Sequence, residues 1–309
     1  MPSARHFRWQ TVTLIASLFG PVLALAAEAV ADRPKEKVTC SSCAEWNVPQ
    51  KPFRIFGNTY YVGTHGLSSV LITSQTGHVL IDGALKESAA QIAANIAALG
   101  FRLQDVKWIL NSHVHFDHAG GIAELQKLSG ASVAALPWSA KVLEQGDPAP
   151  EDPQFGGGLL RIEPVKAVKV LKDGETVRAG ELSLTVHATP GHTPGSATWT
   201  WKSCEPSRCL NMVYADSLSP VSAPHFKFSK NDTYPAVVAD FEQSAATIQS
   251  LPCDVLITPH PESVKLFDKI AQRDAGQAGT LSDSSSCRVF AQFVRERFAK
   301  RLAEEHSAQ

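Results

Sequence analysis

Three of the chain's eleven histidines fall within six residues, in Asn111-Ser112-His113-Val114-His115-Phe116-Asp117-His118-Ala119-Gly120-Gly121. The cluster directly follows the apolar run Val106 to Leu110. His113 and His115 are two apart, so on an extended segment both side chains face the same way, and a turn at Asp117-His118 aims a second pair at a neighbouring point. One strand end can thus serve two metal ions. Imidazole and carboxylate donors suit zinc, and a catalytic zinc keeps a coordination position open for water and substrate. A generic solvated turn has no reason to set an aspartate among histidines behind a buried strand.

Two further histidines stand in comparable places. His192 lies in Ala188-Thr189-Pro190-Gly191-His192-Thr193-Pro194-Gly195, after a strand through Leu184 and Val186; His260 lies in Ile257-Thr258-Pro259-His260-Pro261, after another apolar strand. Ligand sites of open α/β sheets gather at the carboxyl ends of strands, so both are expected to converge on the cluster. His187, with no glycine-rich turn around it, reads as structural. His6, His65, His78, His225 and His306 also read as non-ligating, with His65 and His225 the two that could lie near a cleft.

The elements that must position these residues alternate between strand and helix. Phe53 to Thr64, Leu67 to Thr73 and Gly77 to Gly83 read as strands, and Ala90, Ile92, Ala93, Ile96, Ala97 and Leu99 before Gly100 carry a helical period with a glycine stop. A strand at Val106 to Leu110, a helix around Ala119 to Leu128 and a strand at Ala131 to Leu136 continue the α/β alternation. The stretch between Glu144 and Gly158, dense in Pro, Gly and Asp, reads as a surface loop linking two halves of similar plan; Gln154 and Phe155 on it could flank the cleft, with solvent the simpler reading. The second half is expected to place strands at Thr176 to Arg178, Leu182 to Ala188, Ala197 to Trp201, Met212 to Ala215 and Val255 to Thr258. Helices are expected at Pro235 to Leu251 and from Cys287 to Glu304.

At 309 residues with 44% apolar and 19% charged residues the chain can bury a large core, and a formal net charge of −1 argues against a nucleic-acid partner held by a basic surface. Arg5 and Arg8, an apolar run from Thr11 to Leu25 and the triplet Ala24-Leu25-Ala26 follow the grammar of a signal peptide. Residues 1–26 are therefore expected to be removed, with Ala29-Val30-Ala31 a second candidate cleavage triplet, leaving 27–309 as a single catalytic domain in the periplasm, with no membrane association after cleavage. The run is broken by Gly20-Pro21 and falls short of the ~20 apolar residues that a membrane span needs. An exported chain meets oxidising conditions, where its six cysteines can pair in 15 ways. Sequential pairing is the simplest, with Cys253–Cys287 closing a long loop and Cys40–Cys43 and Cys204–Cys209 as local clips. Cys40-Ser41-Ser42-Cys43 could instead be a redox or zinc motif.

The H-x-H-x-D-H stretch with later single histidines resembles the metallo-β-lactamase-fold hydrolases, and the details resemble the third subclass of metallo-β-lactamases. The matching stretches are Gly57 to Thr64, the histidine cluster, Ala188 to Gly195, Tyr214-Ala215-Asp216-Ser217-Leu218-Ser219, and Leu251 to Asp254 leading to Pro261. The resemblance implies an α/β fold, a four-layer αβ/βα sandwich of two mixed β-sheets flanked by helices. It implies two Zn2+ ions, one held by His113, His115 and His192, the other by Asp117, His118 and His260. Asp117 would also orient the attacking hydroxide, so it is the expected catalytic residue, and Ser217 and Ser219 are expected to contact the substrate carboxylate. The same resemblance implies the Cys253–Cys287 disulfide and a Cys204–Cys209 clip. The implied reaction is hydrolysis of the β-lactam amide of penicillins, cephalosporins or carbapenems by a monomer acting on a small molecule, conferring antibiotic resistance. The alternative is a metallo-hydrolase of the same fold acting on lactones or thioesters, in which an aspartate placed like Asp216 bridges the metals.

Overall fold

The computed structural model describes Met1 and residues 40–277 and 279–307; from residue 2 on, the expected signal peptide lies outside them, as does His6. Seven strands make the first sheet: β1 (Phe53–Phe56), β2 (Thr59–Tyr61), β3 (Val70–Ile72), β4 (His78–Ile81), β5 (Val106–Leu110), β6 (Ser132–Ala135) and β7 (Lys169–Val170), side by side in that order. β1 to β4 pair antiparallel, and β4 to β7 pair parallel. The second sheet has the order β12 (Val255–Ile257), β11 (Arg208–Tyr214), β10 (Ala197–Glu205), β9 (Leu182–Ala188), β8 (Thr176–Ala179), antiparallel except for the parallel β11–β12 pair.

Both sheets are mixed because the α/β crossovers that make parallel neighbours are interleaved with hairpins. Helix α1 (Cys43–Trp46) precedes the sheet; α2 (Ala89–Ala98) joins β4 to β5, α3 (Phe116–Ala119) and α4 (Ile122–Ser129) join β5 to β6, and α5 (Pro137–Gln145) follows β6. Helix α6 (Val237–Ser250) lies between β11 and β12, and α7 (Leu266–Asp274) and α8 (Ser286–Ser307) end the chain.

Three apolar layers show why this is a four-layer sandwich. Val70, Ile72, Val79 and Ile81 of the first sheet meet Leu184, Val186, Trp199 and Met212 of the second between the sheets. Alternate residues of the same strands, Leu71, Leu80 and Ile109, face outward onto Ile92, Ile96 and Leu125 of α2 and α4. On the far side Val213 and Leu256 pack on Phe241 and Ile248 of α6 and Phe298 of α8. Strands buried on both faces read as continuous apolar runs, which is why β3, β4 and β12 carry no alternation.

Several expected boundaries move. The run Phe53 to Thr64 is two strands, because Gly57, with φ 51°, turns the chain between β1 and β2 so that Phe53 pairs with Tyr61. β10 and β11 extend past Trp201 and before Met212 into a polar hairpin, where Cys204 faces Cys209 in register. The 144–158 segment is not the junction between halves: the chain returns from it to place β7 on the first sheet, and only afterwards enters the second. The disulfides are sequential, Cys40–Cys43, Cys204–Cys209 and Cys253–Cys287. No helix among the described residues is long and apolar enough to cross a membrane.

Candidate metal centre

The cluster, both single histidines and Asp216 all follow the last residue of a strand: β5 for His113 to His118, β9 for His192, β11 for Asp216 and β12 for His260. The loop after β5 is fastened to both sheets. Asp82, buried just after β4, accepts hydrogen bonds from the Ser112 amide (2.7 Å), the Ser112 hydroxyl (2.6 Å) and the phenol of Tyr214 on β11 (2.8 Å). Burial pushes the Asp82 carboxyl up to about 7, against the pull of these donors. From the second sheet the Ala197 amide donates to the Ser112 carbonyl (2.7 Å), and the Trp199 indole donates to the Asn111 carbonyl (3.1 Å).

His192 is held by a turn that satisfies itself. The Thr193 amide donates to Ser196 Oγ (3.1 Å), the Gly191 amide to the Thr193 carbonyl (3.1 Å), and Ser244 of α6 to the Pro190 carbonyl (2.6 Å). Gly191 takes a φ of 137°, and a side chain there would run into Phe241, so the glycine is what lets this turn sit on α6. At His260 the Pro259 carbonyl accepts from the Ser68 amide (2.8 Å), and the Trp46 ring of α1 lies 5.3 Å from the imidazole.

All six expected ligands are brought together. Ring centroids of His113 lie 4.8 Å from His115, 4.4 Å from His118 and 4.7 Å from His192, and His118 lies 4.8 Å from His260. An Asp117 carboxylate oxygen sits 3.1 Å from His118 Nε2 and 3.4 Å from His260 Nε2. Two groups, His113/His115/His192 and His113/Asp117/His118, each have ligand atoms within 4.8 Å of one another and could hold a metal ion. His113 Nε2 is buried with no hydrogen-bond partner among the described residues, a costly state for a polar atom unless a ligand claims it. Imidazoles and a carboxylate are among the donors zinc accepts. The residues present therefore fit the metal.

Apart from His115, the electrostatics agree with ligand protonation states. Burial, then the neighbouring His118 and His115, holds His113 well below the ordinary histidine value, and burial with His113 and His115 pushes His192 down to about 3. Burial lowers His118 as well. Burial opposes the charge on Asp117, but His118 and His260 outweigh it and hold the carboxyl well below its usual range. His115 goes the other way: burial would lower it, but Asp152 outweighs that and raises it.

The rest of the site falls into two groups. Ser217, Ser219 and Gln154 line a cleft of about 460 Å3 together with His115, Asp117, His118, His192, His260 and Trp46. Gln154 therefore faces the centre instead of solvent, because the 147–160 loop folds back over it; Phe155 beside it is exposed. Ser219 is closer than expected, since its carbonyl accepts from His192 Nδ1 at 2.9 Å. Asp216 lies on the far side of His113: its Oδ1 is 2.7 Å from Nδ1, the nitrogen opposite the unpartnered Nε2. It backs the His113 ring from the side away from the cluster, and burial raises its carboxyl.

Sequence reasoning missed Asp152, Trp46 and Asp82, single residues in stretches without a motif. His187 bonds Thr200 (2.9 Å) and His78 packs edge-on against Phe101, both structural as expected. His65 stacks on Phe267 in a separate groove behind Trp46, a Cβ placed on Gly156 of the cleft loop would stand 3.1 Å from the His225 ring, and His306 is exposed on α8.

Residues 62–205 match the family model of the metallo-beta-lactamase superfamily. The Rm3 metallo-beta-lactamase superposes with a TM-score of 0.84 at 53% identity, over 87% of this chain and 99% of that one. The chain belongs to the metallo-beta-lactamase superfamily. A second solved member, MEM-A1, a subclass B3 metallo-beta-lactamase isolated from a soil metagenome library, superposes with a TM-score of 0.83 at 48% identity, over 85% of this chain and all of that one. Among curated relatives, a probable metallo-hydrolase of Burkholderia pseudomallei (strain 1710b) is 34% identical over 113 residues, 36% of each chain. The chain spans about a third to three-fifths of the length of the first curated relatives it matches. Superfamily membership accounts for the gathering of these histidines and Asp117 at the strand ends of two facing sheets.

Proposed function

We propose that this chain hydrolyses the amide bond of β-lactam antibiotics with two zinc ions, one held by His113, His115 and His192 and the other by Asp117, His118 and His260, and that it confers resistance. The observation that carries this reading is the likeness over nearly the full length of solved β-lactamases, at up to 53% identity. The position of Asp216 behind His113 favours it over a lactone or thioester hydrolase, in which an aspartate so placed would bridge the metals. Bound zinc supplies Lewis acidity and lowers the pKa of water toward ~7.

The chain's own groups do the rest. Asp117, held ionised by His118 and His260, accepts a proton from the attacking water and orients it. Asp216 and the Ser219 carbonyl hold His113 and His192 by their Nδ1 atoms, keeping both rings aimed inward. Ser217 and Ser219, half-buried at the cleft wall, offer hydroxyls to the substrate carboxylate. No serine acts as nucleophile, since no G-x-S-x-G or S-x-x-K arrangement is placed to activate one. The signal-like first 26 residues and three disulfides support export to the periplasm, and nothing beyond one chain is needed to complete the site.

The test is turnover of nitrocefin and imipenem by the purified, zinc-loaded protein. A chelator should abolish it, added zinc should restore it, and a clavulanate-type serine-directed inhibitor should leave it intact. Opening of an acyl-homoserine lactone or a thioester with nitrocefin untouched would refute the proposal and establish the alternative.

A further inference from the structure

Each histidine of the first ligand group is gripped at one ring nitrogen, but not at the same one. His113 and His192 are engaged at Nδ1, by Asp216 (2.7 Å) and by the Ser219 carbonyl (2.9 Å). His115 is engaged at Nε2, by Asp152 Oδ2 at 2.9 Å, with both side chains buried. A carboxylate accepts, so the nitrogen facing it carries the proton and the other nitrogen keeps its lone pair. His115 therefore presents Nδ1 to the centre where its two neighbours present Nε2. Consistent with an unprotonated Nδ1, the side-chain amide of Gln154 points a donor at it from 3.4 Å.

Asp152 has a second attachment. Its Oδ1 accepts the Gln154 amide (2.8 Å), its own amide donates to the Ala149 carbonyl (3.0 Å), and its carbonyl accepts from the Phe155 amide (2.9 Å). The next residue, Pro153, accepts from the Ala223 amide (2.8 Å), on the segment that follows Ser217 and Ser219. The loop carrying Gln154, Gly157, Gly158 and Leu159 into the cleft wall is thus pinned at the carboxylate that orients His115.

We propose that Asp152 is a positioning residue that holds the His115 ring by its Nε2 and couples the 147–160 wall of the cleft to the metal centre. The inference rests on the metal-centre reading above and adds to it a residue outside the six ligands. Carboxylates bonded to ligating imidazoles set ring orientation and ligand basicity, and losing one typically costs 10–100-fold in metal affinity.

The experiment compares the parent with Asp152→Asn and Asp152→Ala. Zinc affinity is measured by competition with a chromophoric chelator, and the tautomer of His115 by 15N NMR of the zinc-loaded protein. The parent should show His115 protonated at Nε2. Asp152→Ala should bind zinc roughly 10- to 100-fold more weakly and lose the Nε2–H signal to exchange. Asp152→Asn keeps the shape but removes the charge; it should weaken zinc binding by about threefold or more and shift that signal, and it decides the matter if the alanine variant does not fold. Zinc affinity within about twofold of the parent in Asp152→Asn, or in a folded Asp152→Ala, overturns the inference. So does a His115 protonated at Nδ1 in the parent, or an Nε2–H signal that Asp152→Asn leaves in place. A parent that binds no stoichiometric zinc would instead sink the metal centre itself.

Discussion

Replacing Gly121 with alanine tests whether the metal loop depends on a close approach of backbone to backbone. A Cβ at Gly121 would stand 2.3 Å from the Gly83 carbonyl oxygen and 2.9 Å from that of Leu85, where ordinary contact begins at 3.4 Å. About 1 Å of movement is therefore required, and neither neighbour is a side chain that can swing away. The backbone of Gly121 is in the right-handed helical region, φ −86° and ψ −8°, so the barrier is space and not torsion. Overpacking of this kind costs typically 1–3 kcal/mol, and because Gly121 is the N-cap of α4, where alanine has no advantage over glycine, the net loss is about 1–3 kcal/mol. The larger effect is displacement. The Gly83 amide bonds the His118 carbonyl at 2.8 Å and Ala84 bridges Ala119, so separating these backbones moves Asp117 and His118. A misplacement of ~1 Å at a reacting centre can cost about 100-fold in rate. Urea unfolding of the zinc-free protein, zinc content by elemental analysis and nitrocefin kcat are the measurements. Stability within about 0.5 kcal/mol of the parent, with parent-like zinc content and kcat, would refute the reasoning.

Three further outcomes are expected. Glu305, buried on α8, accepts the Phe228 and Ser229 amides (3.1 and 2.8 Å) and pairs with Arg301; burial opposes its charge, but these donors outweigh it and lower its pKa below the ordinary 4.5. A lowered carboxyl stabilises the fold above its unfolded value and loses that contribution as pH falls. Glu305→Gln should therefore cost about 1–3 kcal/mol in urea unfolding at pH 7, with the gap to the parent closing on acidification below 4.5; a gap independent of pH would contradict this. Removing the Cys253–Cys287 disulfide, which spans 34 residues, should cost about 4 kcal/mol against about 2 kcal/mol for Cys204–Cys209, which spans 5; equal losses in thermal unfolding would sink the loop-length argument. Ser217→Ala and Ser219→Ala should raise KM for imipenem with little change in kcat, since the carbonyl of Ser219, not its hydroxyl, keeps the nearer contact with His192; unchanged KM in both would remove them from substrate binding.

The candidate metal cluster was legible because three histidines and an aspartate within six residues, behind a strand, fit metal chemistry far better than a solvated turn. His192 and His260 were legible only through their strand-end setting, and the structure brings both to the cluster. Strands β5 and β9 match their sequence patterns residue for residue, since each has a distinct break at both ends. Helix α5 was overlooked although Pro137 at its first turn and Gly146, φ 75°, at its end are the usual signals; its apolar face is only four residues wide. Helix α7 starts from Lys265 at φ 51°, a conformation without a residue signature. Asp152 and Trp46 could not be read at all, because what makes them matter is a contact across 37 residues in one case and 214 in the other.

The tie from Asp82 to both Ser112 and Tyr214 has a consequence for the order of assembly. His113 and His115 hang from one sheet and His192 from the other, so no partly folded chain with undocked sheets owns a complete set of donors. On the two-zinc reading proposed above, metal capture is then a late event that only the finished fold can perform. Whatever zinc the surroundings offer adds to the stability of that state alone, in proportion to the logarithm of its concentration over the dissociation constant. If the proposed zinc centre forms, zinc starvation would therefore act on this protein twice, by silencing it and by leaving it easier to unfold.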